Sequence, residues 1–341
     1  MQQPEETQDN KVNVKKGESS FALSAKRVLA SREMGVFIAL IVLLIVMRLL
    51  SPYFLRTNNI FNVLRGMSTI AIMAIGQTMI IVTAGIDLSV GSILAASSMV
   101  AARLMFMEIV PPWAAVLGGL GFGTLLGLIN GLVITKLGVN PFITTLGMLS
   151  IARGLAYLLA TGLQGTVASN IPMRNEFVTF LGKGYVGPVP VPVIVMVILV
   201  IIFSLFLRYT VLGRQIYAVG SNEQAARLSG VPVSLVKTFV YTITGTLCAL
   251  SGILTAGLLA TSATSAGVGV ELDVIAAVVI GGASLAGGEG TIIGAVIGAA
   301  IMAVLRNAFV LLKLPIYLQT ITIGLVIIVA VAADNLRHRN R

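Results

Sequence analysis

The sequence has few of the residues that carry enzyme chemistry. Of its 341 residues, one is a histidine (His338), one is a cysteine (Cys248) and only 11% are charged. A single cysteine excludes a disulfide framework within the chain, and so sparse a set argues against a Cys–His catalytic pair or a histidine-based metal site. The ATP-binding pattern G-x-x-x-x-G-K-[ST] is also missing, so any ATP hydrolysis must take place on another chain. We therefore predict no catalytic residues, no metal and no cofactor.

The low charge accompanies a strongly apolar composition. Hydrophobic residues make up 57% of the chain, and the mean hydropathy is +0.98. A soluble protein of this length needs far more charged surface, so a lipid bilayer is the expected solvent. At 1.5 Å per residue, apolar runs of about 20 residues cross a hydrocarbon core of about 30 Å. The runs lack the alternation of membrane β-strands. We predict an all-α polytopic membrane protein.

About ten transmembrane helices are expected, the eighth weakened by four glycines. The predicted spans are 34–51, 59–84, 89–107, 113–136, 141–161, 188–208, 236–260, 271–287, 290–312 and 315–333. A disordered cytoplasmic arm (1–33) is expected to precede the transmembrane domain (34–333), and a basic cytoplasmic tail (334–341) to follow it. With both termini inside, the inner side collects 14 of the 23 lysines and arginines: six in the arm, one at position 136, four in 208–237 and three in the tail. This bias satisfies the positive-inside rule and explains the net charge of +10 without nucleic acid.

Two weakly similar segments predict an internal repeat. Residues 130–147 read NGLVITKLGVNPFITTLG and residues 307–324 read NAFVLLKLPIYLQTITIG. A helix with glycine at every fourth position precedes each one, at 119, 123, 127 and 131 and again at 290, 294 and 298. This spacing places the glycines on one helix face, where two backbones can approach closely. Because the first connector falls inside and the second outside, the copies are expected to be inverted repeats.

The polar, basic loop 208–237 is unusually long among otherwise short connections. Ser221 or Asn222 can cap a short helix there, and Gly230 can end it. Glu223 and Arg227 stand at i,i+4 and can pair on its surface. Such a helix is marginal alone, so we expect it to dock on a partner. The candidate coupling residues are Ser221, Asn222, Glu223, Ala225, Ala226, Arg227 and Gly230.

Polar residues inside the spans form a second set of candidates. Asp87 and Ser89, between Gly85 and Gly91, can cap the following helix or take part in a gate. Gln77, Asn130, Thr144, Thr145 and Gln319 can contact a hydroxyl-rich solute or serve as interhelical hydrogen-bonding residues. Glu271 and Asp273, expected near the outer face, can receive a binding protein or cap the eighth span.

Three segments resemble one transporter family. The stretch GRQIYAVGSNEQAARLSGV (213–231) is similar to the cytoplasmic coupling loop of ribose-type permeases of binding-protein-dependent ABC importers, with Gly230 in the place of the characteristic glycine of that loop. The stretches GIDLSVG (85–91) and ELDVIAAVVIGGASLAGGEG (271–290) match the same family. The resemblance extends over about residues 35–335.

The resemblance implies a set of partners and a fold. The partners are a cytoplasmic ABC ATPase, a periplasmic or lipid-anchored sugar-binding protein and a second permease copy, in the bacterial inner membrane. The implied fold has ten spans arranged as in the vitamin B12-type permeases. Ribose is the expected solute, and other pentoses, hexoses, furanoses and nucleosides stay open. The alternatives are an ion-coupled secondary transporter, which usually carries buried acids in its spans, and a membrane scaffold or receptor.

Overall fold

A computed structural model describes residues 32–108, 110–161 and 169–339, so most of the predicted arm lies outside the described residues. The first half contains α1 (Arg32–Leu50), α2 (Thr57–Val82), α3 (Val90–Phe106), α4 (Pro112–Lys136) and α5 (Pro141–Ala160). A middle segment contains β1 (Asn170–Pro172), α6 (Glu176–Lys183), β2 (Tyr185–Val186), β3 (Val189–Pro190), α7 (Val191–Tyr209), α8 (Val211–Ser221) and α9 (Glu223–Leu228). The second half contains α10 (Val233–Leu259), β4 (Thr261–Ala263), α11 (Val270–Ile280), α12 (Ile292–Leu311) and α13 (Ile316–Arg339).

Seven helices in the described ranges are long and apolar enough to cross a membrane: α1, α2, α4, α5, α7, α10 and α12. Two further apolar helices, α3 and the part of α13 over Ile316–Ala332, are shorter. The structure therefore shows a polytopic helical membrane protein. The prediction of an eighth span over 271–287 is wrong in its extent. Helix α11 has 11 residues, about 16 Å at 1.5 Å per residue, which is half of a hydrocarbon core.

Glycines explain why α11 ends early. Gly282, Gly287 and Gly288 have φ values of +96°, +91° and +74°, and the chain turns through this segment before α12 begins. L-residues rarely adopt such conformations, so glycine is the residue that permits the turn. Helix α13 continues to Arg339, into the predicted tail.

The core is built around α2 and α10. Every residue of α2 from Ile70 to Val82 is buried, and α10 packs against α2, α3 and α4. The glycine spacing in α4 has the predicted role, since a β-carbon at Gly127 would lie 3.0 Å from Cα of Gly245 in α10. In α12, Gly294 and Gly298 lie against α11 in the same way. Close backbone approach therefore joins both pairs of helices.

Helix contacts occur in matching pairs along the two halves. Helix α10 packs on α4, and α2 packs on α12. Likewise α3 packs on α5, and α11 packs on α13. The pairs correspond if α2, α3, α4 and α5 are matched with α10, α11, α12 and α13. At one end of the bundle, β1 pairs antiparallel with β4, and β2 with β3.

Candidate coupling surface and polar core

The predicted coupling loop forms two short helices. Thr210 caps α8 by accepting a hydrogen bond from the backbone N–H of Gly213 at 2.9 Å. Asn222 caps α9 by accepting from the N–H of Ala225, also at 2.9 Å. Gly230 follows α9 with a φ of +82°, and the N–H of Val231 donates to the carbonyl of Ala226 at 3.0 Å. The cap and the stop predicted from the sequence are confirmed.

Ion pairs hold α9 against the start of α10. Glu223 Oε1 lies 3.0 Å from Nη2 of Arg227, and Oε2 lies 2.6 Å from Nζ of Lys237. The hydrogen bond from Lys237 is the main cause that lowers the pKa of Glu223, and the positive charges of Lys237 and Arg227 add to it. The i,i+4 pair is confirmed. Lys237 is the partner that sequence reasoning missed, because it lies on the next helix.

One exposed apolar residue marks the outer side of α9. Leu228 is 90% exposed, whereas Ala226 is buried against the protein itself. Of the two alanines among the candidate coupling residues, only Ala225 is exposed and available to a partner. A groove of about 760 Å³ lies beside α9, with Leu235 and Phe239 of α10 among its lining residues. The exposed leucine and the apolar lining of this groove lie next to each other on the surface beside α9.

The end of α8 touches the end of α2 without intervening side chains. The α-carbon of Gly220 lies against the carbonyl oxygen of Val82, which accepts a hydrogen bond from the N–H of Gly288 at 2.9 Å. The hydroxyl of Tyr217 donates to the carbonyl of Gly290 at 2.8 Å, and burial raises the pKa of this hydroxyl so that it stays protonated. The coupling loop therefore contacts α2 and the turn before α12 directly.

A buried polar chain begins a few residues beyond that contact. Asp87 Oδ1 accepts hydrogen bonds from the N–H and the Oγ–H of Ser89 at 2.7 and 2.6 Å. Asn130 of α4 donates to Ser89 Oγ at 3.0 Å. All three residues are fully buried. Our prediction that Asp87 or Ser89 caps α3 is wrong, since Asp87 bonds Ser89 and the Ser89 side chain makes no capping bond.

Two further polar residues hold the same segment. The hydroxyls of Thr145 and Tyr241 donate to the carbonyl of Ile86, each at 3.4 Å. The segment 83–89 runs without helical structure from α2 to α3. Gly91 is needed for close approach to the backbone of Gly267.

The remaining predicted path residues are dispersed. Gln77 is fully buried in α2, and neither atom of its amide has a hydrogen-bond partner among the described residues. Thr144 Oγ1 is buried and also lacks a partner in that part of the chain. Gln319 lies half-buried on α13, which packs mainly on α11. The structure joins Asp87, Ser89 and Asn130 into one group and leaves these three outside it.

The two acids that we expected at the outer face, Glu271 and Asp273, differ in exposure. Asp273 is fully buried and pairs with Arg306 of α12, so it has no surface to offer a partner. Glu271 Oε2 lies close to Gly91, where a β-carbon would be 2.7 Å away. Asp273 therefore lies inside the helix bundle, whereas Glu271 is partly exposed at the start of α11 and its docking role stays a prediction.

Within the described ranges, no three His, Cys, Asp or Glu side chains are arranged to hold a metal ion. Cys248 is a free, buried thiol. The apolar helices, the buried polar chain and the polar helical loop describe a multi-pass membrane protein with one prominent polar loop.

The chain belongs to the family described as "Branched-chain amino acid transport system / permease component", whose profile matches residues 59–331. It is the membrane permease component of an ABC importer, and ATP hydrolysis takes place on separate subunits. The chain is 42% identical to the ribose import permease of Haemophilus influenzae, over 89% of this chain and 93% of the relative.

Further relatives extend the comparison. The ribose import permease of Bacillus subtilis is 41% identical, over 89% of this chain and 92% of its own length. A D-allose transport system permease of Escherichia coli is 38% identical over 89% of this chain and 91% of the relative. No solved structure matches the chain.

Proposed function

We propose that the chain is the permease subunit of an ATP-driven importer for ribose or a similar pentose. The observation that carries this proposal is the 42% identity to a ribose import permease over 89% of the chain. The family description names branched-chain amino acids, whereas the more specific relatives carry ribose and D-allose in their names. Because these relatives are 38–42% identical to the chain over 89% of its length, a sugar is favoured as the transported solute.

The distribution of charge supports an orientation. The loop with α8 and α9, the arm 1–33 and the tail 334–341 carry most of the lysines and arginines, which supports a cytoplasmic position for all three. A cytoplasmic ABC ATPase then docks on α9, and a periplasmic or lipid-anchored sugar-binding protein docks on the opposite face. A second permease copy completes the assembly. The matching helix contacts support two inverted repeats with ten membrane segments, in the arrangement of the vitamin B12-type permeases.

The contacts of the loop indicate how force reaches the solute path. Closure of the ATPase moves α9, and α8 moves with it because Asn222 joins the two helices. The displacement passes at Gly220 to Val82 and Gly288. Val82 is followed by the non-helical segment 83–89, which ends at the hydrogen bonds of Ser89. The loop thus acts on a segment that can shift without unfolding a helix.

Uptake of labelled ribose by cells that contain the ATPase and the binding protein tests the function. The complete importer should accumulate ribose, and cells without this chain should not. Accumulation by the purified chain alone in vesicles, driven by a proton or sodium gradient, would show an ion-coupled secondary transporter instead.

Two variants test the coupling surface. Leu228→Asp should abolish uptake because a charge replaces the exposed apolar contact, and Gly230→Val should do so because valine resists a φ of +82°. Leu137→Asp is the matched control, an exposed leucine in the connection after α4. Membrane levels of all three variants should equal those of the unaltered chain. Full uptake with Leu228→Asp would refute docking at α9.

A further inference from the structure

The segment 264–269 has an unusual position. It is a series of turns between β4 and α11, and it runs beside the middle of α5. Arg153 of α5 fixes it there, since Nη1 donates to the carbonyl oxygens of Thr264 and Ala266, both at 2.7 Å. Helix α5 has the length and composition of a membrane span. Non-helical backbone therefore lies at the depth of the hydrocarbon core.

This segment is not enclosed by its own chain. Ser265 is exposed, and Val268 is 66% exposed. Lipid cannot satisfy the polar groups of irregular backbone, so such backbone at membrane depth occurs only where it is buried in protein or lines a water-filled cavity. The exposed side of 264–269 must consequently face water, solute or another chain.

A charged residue at the same place favours water and solute. Glu271 is in the first turn of α11, where it is partly exposed and lies next to Gly91. Its electrostatic neighbour is Arg153, and among the described residues its carboxylate makes no hydrogen bond. A carboxylate facing hydrocarbon costs at least about 2.5 kcal/mol, and a hydrated cavity removes most of that cost.

We propose that the solute crosses the membrane along 264–272, where the Glu271 carboxylate and the Ser265 hydroxyl form hydrogen bonds with its hydroxyl groups. This assignment rests on the transport function proposed above. Carboxylates accept hydrogen bonds from sugar hydroxyls, and charge-assisted bonds of this kind are stronger than neutral ones. Leu272 is exposed next to Glu271 and supplies apolar contact. The buried chain of Asp87, Ser89 and Asn130 then supports the path from behind without touching the solute.

Cysteine accessibility tests whether the segment lines water. The native Cys248 is buried, so it should not react with the probe, and the labelling measured will come from the introduced cysteine. Ser265→Cys and Val268→Cys are placed in the complete importer in membrane vesicles. Ile151→Cys is the matched control, because Ile151 is 56% exposed and lies on α5 close to Arg153. The probe is a membrane-impermeant cationic methanethiosulfonate, applied without nucleotide and after vanadate trapping.

The two cysteines on the segment should react at least about tenfold faster than the control in one of the two states, because only a thiolate in water is an efficient nucleophile. Adding Glu271→Gln should slow the cationic reagent by about threefold and leave an anionic analogue unslowed, since the carboxylate concentrates cations nearby. Equal rates at positions 265, 268 and 151 in both states would overturn the proposal and assign this face to lipid or to a tightly packed second copy.

A transport measurement addresses Glu271 separately. Glu271→Gln should raise the KM for ribose uptake by about tenfold, the loss of roughly one charge-assisted hydrogen bond, while ATP hydrolysis stimulated by the binding protein is retained. An unchanged KM would remove Glu271 from the path. If the importer carries no sugar at all but the labelling pattern is found, the path stands and the proposed solute fails.

Discussion

At the scale of single residues, three charges inside the bundle are held by three different kinds of partner. Asp87 accepts two hydrogen bonds from Ser89, Arg153 donates to two backbone carbonyls, and Asp273 pairs with Arg306. Removing one member of a buried pair leaves the other charge uncompensated, which costs more than the pair contributes. These residues are therefore sensitive positions even though none of them performs chemistry.

The Asp273–Arg306 pair gives a prediction of this kind. Asp273→Leu should lower the free energy of unfolding by about 1–3 kcal/mol, because the partly exposed guanidinium of Arg306 loses its buried partner. The double variant Asp273→Leu/Arg306→Met should recover most of that loss. Thermal unfolding of the purified protein in detergent measures both. A double variant as unstable as the single one would show that the pair itself is needed.

Residue types could be selected from the sequence, but their partners could not. Asp87, Ser89 and Asn130 were each recognisable as polar residues in apolar surroundings. Nothing in their spacing shows that they touch, because Asn130 belongs to another helix. Arg306 and Asp273 were likewise visible one by one. Their pairing depends on how α11 packs on α12, which is a property of the tertiary structure.

At the scale of elements, the glycine spacing in α4 controls how closely α10 can approach. Gly123 and Gly127 lie against the backbone of Gly245. This face was predictable because a period of four residues follows directly from helix geometry. The end of α11 was not, since glycines are tolerated in membrane helices and only the φ values show which of them turn the chain.

A pair of glycine variants tests the packing of α4. Gly127→Val should destabilise the protein by about 1–3 kcal/mol, because the added methyl groups overlap the backbone of α10. Gly121→Val is the control on the same helix, where a β-carbon meets open space. Melting temperatures in detergent measure the difference. Equal melting temperatures would mean that α4 and α10 can separate without cost.

The ion pairs of α9 predict a dependence on pH. The pKa of Glu223 is lowered from 4.5, so the unfolded segment binds the proton more readily than the folded one. The pairs therefore stabilise α9 above pH 4.5, and their contribution is lost as the pH falls through the lowered value. Hydrogen exchange of the α9 amides, corrected for intrinsic rates, should accelerate in that acidic range. Glu223→Gln should lack the acidic step, and a step that persists would place the titration elsewhere.

At the scale of the whole molecule, the two halves use the same plan at opposite ends. In each half a long helix (α2 or α10) is followed by non-helical chain and then by a shorter helix (α3 or α11). The similar segments 130–147 and 307–324 lie in the next two helices of each half, α4–α5 and α12–α13. The depth at which the two non-helical segments meet had no sequence signal, because it depends on contacts such as Gly91 with Gly267.

The orientation of the molecule can be measured with two exposed positions. Arg174→Cys should react with an impermeant maleimide added to intact cells whose outer barrier has been made permeable. Gln224→Cys, on α9, should react only in inside-out vesicles, because the proposed orientation puts the basic loop in the cytoplasm. Both positions are exposed, so burial cannot explain a failure to react. The reverse pattern would invert the topology and contradict docking of an ATPase at α9.

The backbone contact at Gly220 has a mechanical consequence. Side chains between neighbouring helices normally absorb a small displacement, because their torsions can change. At the contact between Gly220 and the backbone of Val82, no side chain lies between the two helices. In the proposed mechanism, a displacement of α8 by the ATPase is therefore passed directly to the start of the segment 83–89. A bulkier residue at 220 would push α8 away from α2 and change this displacement even before ATP is hydrolysed.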